Sequence, residues 1–472
     1  MPLKSLLLVL TFGLACLPAG LRSDGSALNT LLEDLDFLRL GNNVAAMGLV
    51  MVRDDRVVVL ETRGLADRET NQPITDNAIF RIGSISKMFT GLAAAELQAR
   101  GVLDLEQAVR KFNLGGTYSN SWQATHPITT AQLLEHSAGL TDMIKAEWDY
   151  SDPRQLPLSK TLRLYPQARR VQWQPGLHHS YSNASIGLAG LVLEQASDYS
   201  YEELLEKLVF APLKLQDTSV LPPPADRLPT GYDTDGRTAL PYWHQIFRPF
   251  AAINTSLQDM SVFLRMLIAR GKFADTPVFS PATIGRVETP TTTVAARAGL
   301  RYGYGLGNYS WLRRGILFHG HGGDADGYLS KLGYTRANNS GYFLVITAFQ
   351  NRTLREMQVL IENYLVHQLT ARAAPGPYHL SDTLKKDIVG NYAQVSWRFP
   401  RTDPGDNFPG FRIFEGDGNL YSQHGSRKPQ QLIAVSGQLF RRPADNRATL
   451  FIGEEGGAVY FQEDTANFRK LP

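Results

Sequence analysis

The sequence predicts an α+β domain, with an antiparallel sheet flanked by helices and a mainly helical subdomain, followed by a small all-β domain. Three observations carry this expectation. β-rich runs open the chain and return near residue 330, a helix-forming stretch separates them, and the composition changes at ARAAPGPYHLSD, 371–382. Early strands that share a sheet with late strands require both ends of the first domain to meet in one antiparallel layer.

The elements follow in order. AAMGLVMV (45–52) and RVVVLETR (56–63) flank Asp54 and Asp55 and read as a hairpin. IFRIGS then leads into SKMFTGLAAAELQARG. Its Ala, Leu, Met and Gln favour helix, and Gly101 is placed to stop it. Apolar residues recur at helical spacing over 185–208 and 256–269. β-rich runs at 327–335 and 341–350 precede an amphipathic helix near 353–369. Beyond the Ala/Pro/Gly linker, strand-like pieces recur around Ile413, after Gly418–Asn419, and in LIAVSG, QLFRR, ATLFIG and AVYFQ. That spacing predicts a small sheet or barrel. The expected organisation is a domain over 24–370, a linker over 371–382 and a β-domain over 383–472.

Composition narrows the function. The 472 residues are 43% hydrophobic and 20% charged, as a globular core requires. The net charge of +3 comes without a run of Lys or Arg, which argues against nucleic acid and leaves a small molecule or short peptide as the expected partner. Residues 1–23 read as an export signal: Lys4, the apolar run Leu6 to Leu14, then Ala15, Ala19 and Gly20. The run is short for a membrane span, which needs about 20 apolar residues, and no later segment has one. The sole cysteine, Cys16, falls inside this signal, so the exported chain is expected to carry no disulfide. A lipid anchor at Cys16 is the alternative. Gly13, three positions before it, departs from the usual aliphatic residue.

Three motifs carry chemistry. Ser84-Ile85-Ser86-Lys87 opens the first long helix. Residues at i and i+3 face the same way, so hydroxyl and amine can meet, and the helix N-terminus offers N–H groups to an oxyanion. An amine beside a serine can assist its deprotonation. Tyr-x-Asn occurs twice, as Tyr118-Ser119-Asn120 and Tyr181-Ser182-Asn183. A phenol accepts a proton if cationic neighbours lower its pKa, and the asparagine can donate to a substrate carbonyl and hold the lysine. Tyr181 leads into an apolar helix and Tyr118 sits in a polar loop, so Tyr181 is the expected site residue. The third motif is HGHGGDADGY, 319–328. His321, Gly322 and Gly323 would form the far wall, with the N–H of Asp324 as second oxyanion donor. A metal reading of His319, His321 and Asp324 is similar to the H-x-H-x-D-H of metallo-β-lactamases. The aspartate comes one position late, and His178 and His179, adjacent on an extended chain, point apart. No metal and no cofactor are expected.

In this order, SISK (84–87), YSN (181–183) and HGG (321–323) resemble the S-x-x-K, Y-x-N and [KH]-[TSG]-G motifs of the serine β-lactamase and penicillin-binding-protein superfamily, in particular class C β-lactamases, DD-peptidases and related esterases. LLEHSAGL (133–140), APLKLQDTS (211–219), YGYGLG (302–307) and the tail DADGY also resemble family phrases, over roughly 40–365. AAIN (251–254) departs from the paired glycine often found there. The segment from DIVGNY (387–392) is similar to lipocalin-like domains appended to some family peptidases. The resemblance implies a serine hydrolase of bacterial periplasm or extracellular space that works through a Ser84 acyl-enzyme. Lys87 and Tyr181 would share the proton, and the N–H groups of Ser84 and Asp324 would hold the oxyanion. No class A Ser-Asp-Asn signature appears. A penicillin-recognising sensor that acylates without efficient turnover, an inactive scaffold and a true class C-like β-lactamase are the alternatives. True β-lactamases of the superfamily carry lysine where His321 stands. A largely neutral histidine, its pKa lowered further by Lys87, anchors a carboxylate weakly but can still donate one hydrogen bond. The expectation is esterase or D-amino-acid and peptidoglycan-type peptidase activity, with weak β-lactam hydrolysis at most.

Overall fold

The structure is a computed structural model that describes residues 24–399 and 410–472. Its centre is a seven-stranded sheet in the order Tyr309–Arg313, Ile316–Ala325, Tyr328–Thr335, Ser340–Ile346, Ala46–Arg53, Arg56–Asp67, Gln72–Pro73. Every pairing in it is antiparallel, and the N-terminal hairpin docks on the late strands through Ala46–Arg53 and Ser340–Ile346. The predicted joining of both ends of the domain is what the sheet shows.

Alternation along Ala46–Arg53 explains the two layers. Met47, Leu49 and Met51 face the helices Asp24–Gly41 and Asn351–Val366, in a core with Leu31, Leu35, Met357 and Ile361. Val50 and Val52 face the opposite way, into the larger core with Phe80, Phe89, Leu257 and Phe263. The helix Ser86–Ala99 is buried along nearly its whole length and runs through that core. Such a helix holds the residue at its start in a rigid frame. The predicted helix over 185–208 is two helices. Asn183–Ser197 ends at Asp198, which takes a left-handed φ of 58°, and Tyr201–Leu205 restarts behind a Ser200–Glu203 capping box.

The C-terminal region is a closed eight-stranded barrel, Gly390–Gln394 to Ala466–Lys470, whose first and last strands pair to close it. Two of these strands lie outside the strand-like pieces read from the sequence, the first and the last. Each contributes few apolar residues to the barrel core, Tyr392 in GNYAQ and Phe468 in ANFRK, so neither stands out as a β-rich run. The barrel core holds Ile413, Phe440, Ile452 and Phe461. Between barrel and larger domain lies a separate apolar cluster in which Phe451 packs with Leu177, Val294, Ala295 and Leu300. The ion pair Arg297–Glu455 (2.7 Å) flanks this seam.

Candidate active site

Ser84 lies in a tight turn, Gly83–Ile85, that runs straight into the buried helix. Lys87, one helical turn on, places Nζ 2.9 Å from Ser84 Oγ, as the spacing predicts. Lys87 is fully buried and its ammonium position also donates to the Phe250 carbonyl at 2.9 Å. Burial pushes its pKa well below the usual amine range, although Asp142 and Asp324 act in the opposite direction.

The two Tyr-x-Asn copies part company here. Tyr181 OH donates to Ser84 Oγ at 2.9 Å. The Tyr118 hydroxyl makes a long contact of 3.4 Å to Gln123, and Asn120 closes a turn by accepting from Trp122 N–H. Tyr181 departs from expectation in one respect. Its pKa is raised, because burial outweighs the Ser84 hydrogen bond and the nearby Arg398. It is a phenol that donates to Ser84, not a phenolate waiting for a proton.

Asn183 also differs from its expected role. Its N–H and its Nδ2 both donate to Asp142, at 2.7 and 3.3 Å, and its Oδ1 is buried without a partner among the described residues. Phe250, not Asn183, holds Lys87. Phe250 directly precedes the stretch AAIN, whose Ile253 N–H donates to Ser86 Oγ at 3.1 Å.

The far wall is the strand Ile316–Ala325. A Cβ at Gly323 would overlap the Ile82 carbonyl oxygen, so only glycine lets this strand approach the turn that carries Ser84. Asp326–Gly327 is a two-residue loop closing the pair Ala325↔Tyr328. In such a hairpin the closing pair is hydrogen-bonded, so by alternation Asp324↔Leu329 is not, and the Asp324 N–H points away from the sheet partner. Gly320, of the same parity, points its N–H outward to Asn308 Oδ1 at 2.8 Å. The Asp324 N–H thus faces the edge where Gly83 abuts the strand.

His321 is fixed by two bonds. Its Nδ1 contacts the Gly322 carbonyl, which can only accept, so Nδ1 carries the proton; Nε2 then accepts from Tyr304 OH at 2.7 Å. Burial first, then Lys87, pushes its pKa well below the imidazole range. The predicted neutrality is present, but the predicted hydrogen bond to substrate is not, because its single N–H is already used. His319 packs beside Tyr334, apart from His321, and no three His, Cys, Asp or Glu side chains converge as a metal site among the described residues.

Ser84, Tyr181, Asn183, His321, Gly322, Gly323 and Asp324 line one cleft of about 300 Å³. Three further residues support the site. His136 packs against Tyr181 in a tilted contact and against Tyr304 edge-on, at centroid distances of 4.4 and 4.6 Å, and its Nδ1 accepts from Ser182 N–H at 3.1 Å. Asp142 holds the Asn183 turn. Arg398, from the connection after the first barrel strand, donates from Nε to Asp142 at 2.7 Å and lies 4.8 Å over the Tyr181 ring. The family phrase LLEHSAGL contains His136, which was the one available signal.

The segment His178-His179-Ser180 that delivers Tyr181 is also the seam with the barrel. His178 packs on Tyr460 at 4.9 Å, the His179 carbonyl accepts from Asn467 at 3.0 Å, and Ser180 donates to the Trp397 carbonyl at 2.8 Å. Burial lowers both His178 and His179 from 6.5 to about 4. The folded chain therefore prefers them neutral. Their contribution is whole above the unfolded value near 6.5 and is lost as pH falls from there toward about 4. Urea midpoints are expected to drop across this window, and His178→Gln to flatten the dependence. A midpoint that does not change between these pH values contradicts the burial argument.

Comparison with known proteins gives a consistent picture. The Beta-lactamase family model matches residues 36–365. A β-lactamase of Yersinia enterocolitica is 34% identical over 164 residues, 34% of this chain and 38% of that protein. One of Escherichia coli (strain K12) is 33% identical over 165 residues, 35% of this chain and 41% of that protein. Penicillin-binding protein 4* of Bacillus subtilis (strain 168) is 26% identical over 159 residues, 33% of this chain and 34% of that protein. The chain thus matches about two fifths or less of the length of these relatives. Among solved structures, the octameric penicillin-binding protein homologue from Pyrococcus abyssi aligns with TM-score 0.60 at 20% identity, over 94% of this chain and 100% of that one. SurE aligns with TM-score 0.60 at 19% identity, over 95% of this chain and 100% of that one. At such identities the likeness speaks for the fold, and it runs through both domains. With the family model covering most of the sequence and the three motifs meeting in one cleft, the chain belongs to the serine β-lactamase and penicillin-binding-protein family.

Proposed function

We propose that this chain is an exported serine hydrolase that cleaves esters or amides of the D-amino-acid and peptidoglycan type through an acyl-enzyme on Ser84, with weak β-lactam hydrolysis at most. The observation that carries the reading is Ser84 Oγ held between Lys87 Nζ and Tyr181 OH, at 2.9 Å from each. Neutral Lys87 takes the Ser84 proton as Oγ bonds to the substrate carbonyl carbon. The N–H groups of Ser84 and Asp324 stabilise the oxyanion. Tyr181 passes its proton to the leaving group and regains one from the Lys87 ammonium. Water, deprotonated by the same pair, then attacks the acyl carbon, the bond to Oγ breaks, and the pair returns that proton to Ser84 Oγ as the acid leaves. The export part of the reading rests on residues 1–23 and Cys16, which lie outside the described residues; among those described, no helix is long and apolar enough to cross a membrane.

Residues 24–370 act as the catalytic domain in this reading, and the barrel shapes access by presenting Arg398. Purified protein assayed against p-nitrophenyl esters, D-amino-acid peptides and cephalosporins tests the reading, with the intact mass followed in parallel. Turnover of esters or peptides with one transient acyl adduct on the Ser84 peptide is expected. A lasting adduct without turnover supports the sensor alternative. Rapid cephalosporin hydrolysis with esters and peptides ignored contradicts the proposed substrate class.

A further inference from the structure

The segment that leaves the first barrel strand turns into the cleft, and two consecutive residues of it grip the chain on either side of Tyr181. The Trp397 carbonyl accepts from Ser180 Oγ at 2.8 Å, just before Tyr181. The Arg398 carbonyl accepts from the Asp142 N–H at 2.6 Å, and Arg398 Nε donates to Asp142 Oδ2 at 2.7 Å. Asp142 in turn accepts from the Asn183 N–H at 2.7 Å and from Asn183 Nδ2 at 3.3 Å, just after Tyr181. Both domains thus hold the turn whose tyrosine hydroxyl reaches Ser84.

The same contact brings a charge to the cleft. The Asp142 side chain is 0% exposed, and Arg398 is the one cation paired with it among the described residues. Burying a carboxylate is costly unless it is paired. The Arg398 guanidinium lies 4.8 Å from the Tyr181 ring centroid and Lys87 Nζ lies 4.9 Å from it, so both cations border one ring. The titratable groups that face Lys87 are Tyr181, Asp142, Asp324, His136, His321 and Arg398. Burial pushes both imidazoles well below their usual range. That leaves two carboxylates that favour the Lys87 ammonium and one guanidinium that opposes it. Loss of the guanidinium tips this balance toward the ammonium.

We infer that Arg398 is a positioning residue which the barrel lends to the active site: as the counter-ion of Asp142 it holds the Tyr181–Asn183 turn against Ser84 and sets the charge balance around Lys87. The inference rests on the acyl-enzyme reading of the same cleft. It gives the barrel a part in the chemical step, in addition to shaping access.

Two measurements on the full chain test it. In the first, kcat and KM for an activated ester are followed against pH. Arg398→Met is expected to lower kcat by about tenfold or more with a smaller change in KM, and to move the acid limb of kcat up by about half a pH unit or more. Arg398→Lys, which keeps the charge, should return the limb toward its original place. So should Arg398→Met combined with Asp142→Asn, which removes both charges. If Arg398→Met does not fold, Asp142→Asn alone reads the same balance from the other side, and its limb should move down. A change in KM alone, or an acid limb that stays in place in the folded single variant, overturns the inference. In the second, the Lys87 Cε resonance is titrated by NMR in lysine-labelled Ser84→Ala protein, with no turnover needed. A midpoint that moves up on Arg398→Met supports the inference even if Ser84 proves not to be acylated. A midpoint that does not move sinks it even if Ser84 labelling is intact.

Discussion

Ser84→Ala protein is expected to take up no active-site serine probe and to lose essentially all turnover. The reason is positional as well as chemical. Ser84 Oγ is the atom that both Lys87 Nζ and Tyr181 OH approach at 2.9 Å, and among the described residues no other hydroxyl is shared by that pair. Covalent catalysis has no substitute for the missing oxygen. What remains would be binding and oxyanion stabilisation alone, a residual that in serine hydrolases lies several powers of ten below the intact enzyme, on the order of 10³–10⁴ over water. The fold should tolerate the change, because Ser84 lies at the cleft in the turn before the helix, and the core contacts of that turn come from Ile85 and Ile82. Full-stoichiometry labelling of a folded Ser84→Ala protein by a fluorophosphonate rules the assignment out.

Tyr181→Phe should lower kcat by a factor on the order of 10² or more, while Tyr118→Phe changes it little. Removing the Tyr181 hydroxyl deletes the donor to Ser84 Oγ and the group proposed to protonate the leaving group. The ring itself stays packed between His136 and Arg398, so the loss should appear in rate and not in stability. Because Tyr181 is held as a phenol by burial, the variant should suffer most with poor leaving groups, which need the proton, and least with activated esters, which do not. Tyr118 offers a control of the same chemistry. Its hydroxyl makes only the 3.4 Å contact to Gln123, outside the cleft. Equal losses in the two folded variants, measured by stopped-flow acylation with matched amide and activated ester, would show that the hydroxyl at 181 has no special part.

The sequence by itself determined the elements and the pairings that depend on short range. Period-2 runs became strands, the Ala/Leu-rich stretch became the buried helix, and i,i+3 spacing on that helix was enough to bring Lys87 to Ser84. Motif order and flanks were enough to separate Tyr181 from Tyr118, because the setting of each triplet is local. Environment was not legible. Whether Tyr181 is drawn down or pushed up depends on how burial compares with nearby charge, and burial is a property of the packed core. The His321 acceptor is taken by Tyr304, seventeen residues away and across a loop, while its one N–H is turned back onto the Gly322 carbonyl. Arg398 reaches Asp142 from 256 residues further along the chain, through a domain whose docking no local pattern encodes. The pairing of Gly322 with Lys331, both of which line the cleft, likewise follows from strand register, which is set by the Asp326–Gly327 turn and by the whole hydrophobic face of the sheet, so only the tertiary structure decides which side chains border the third motif.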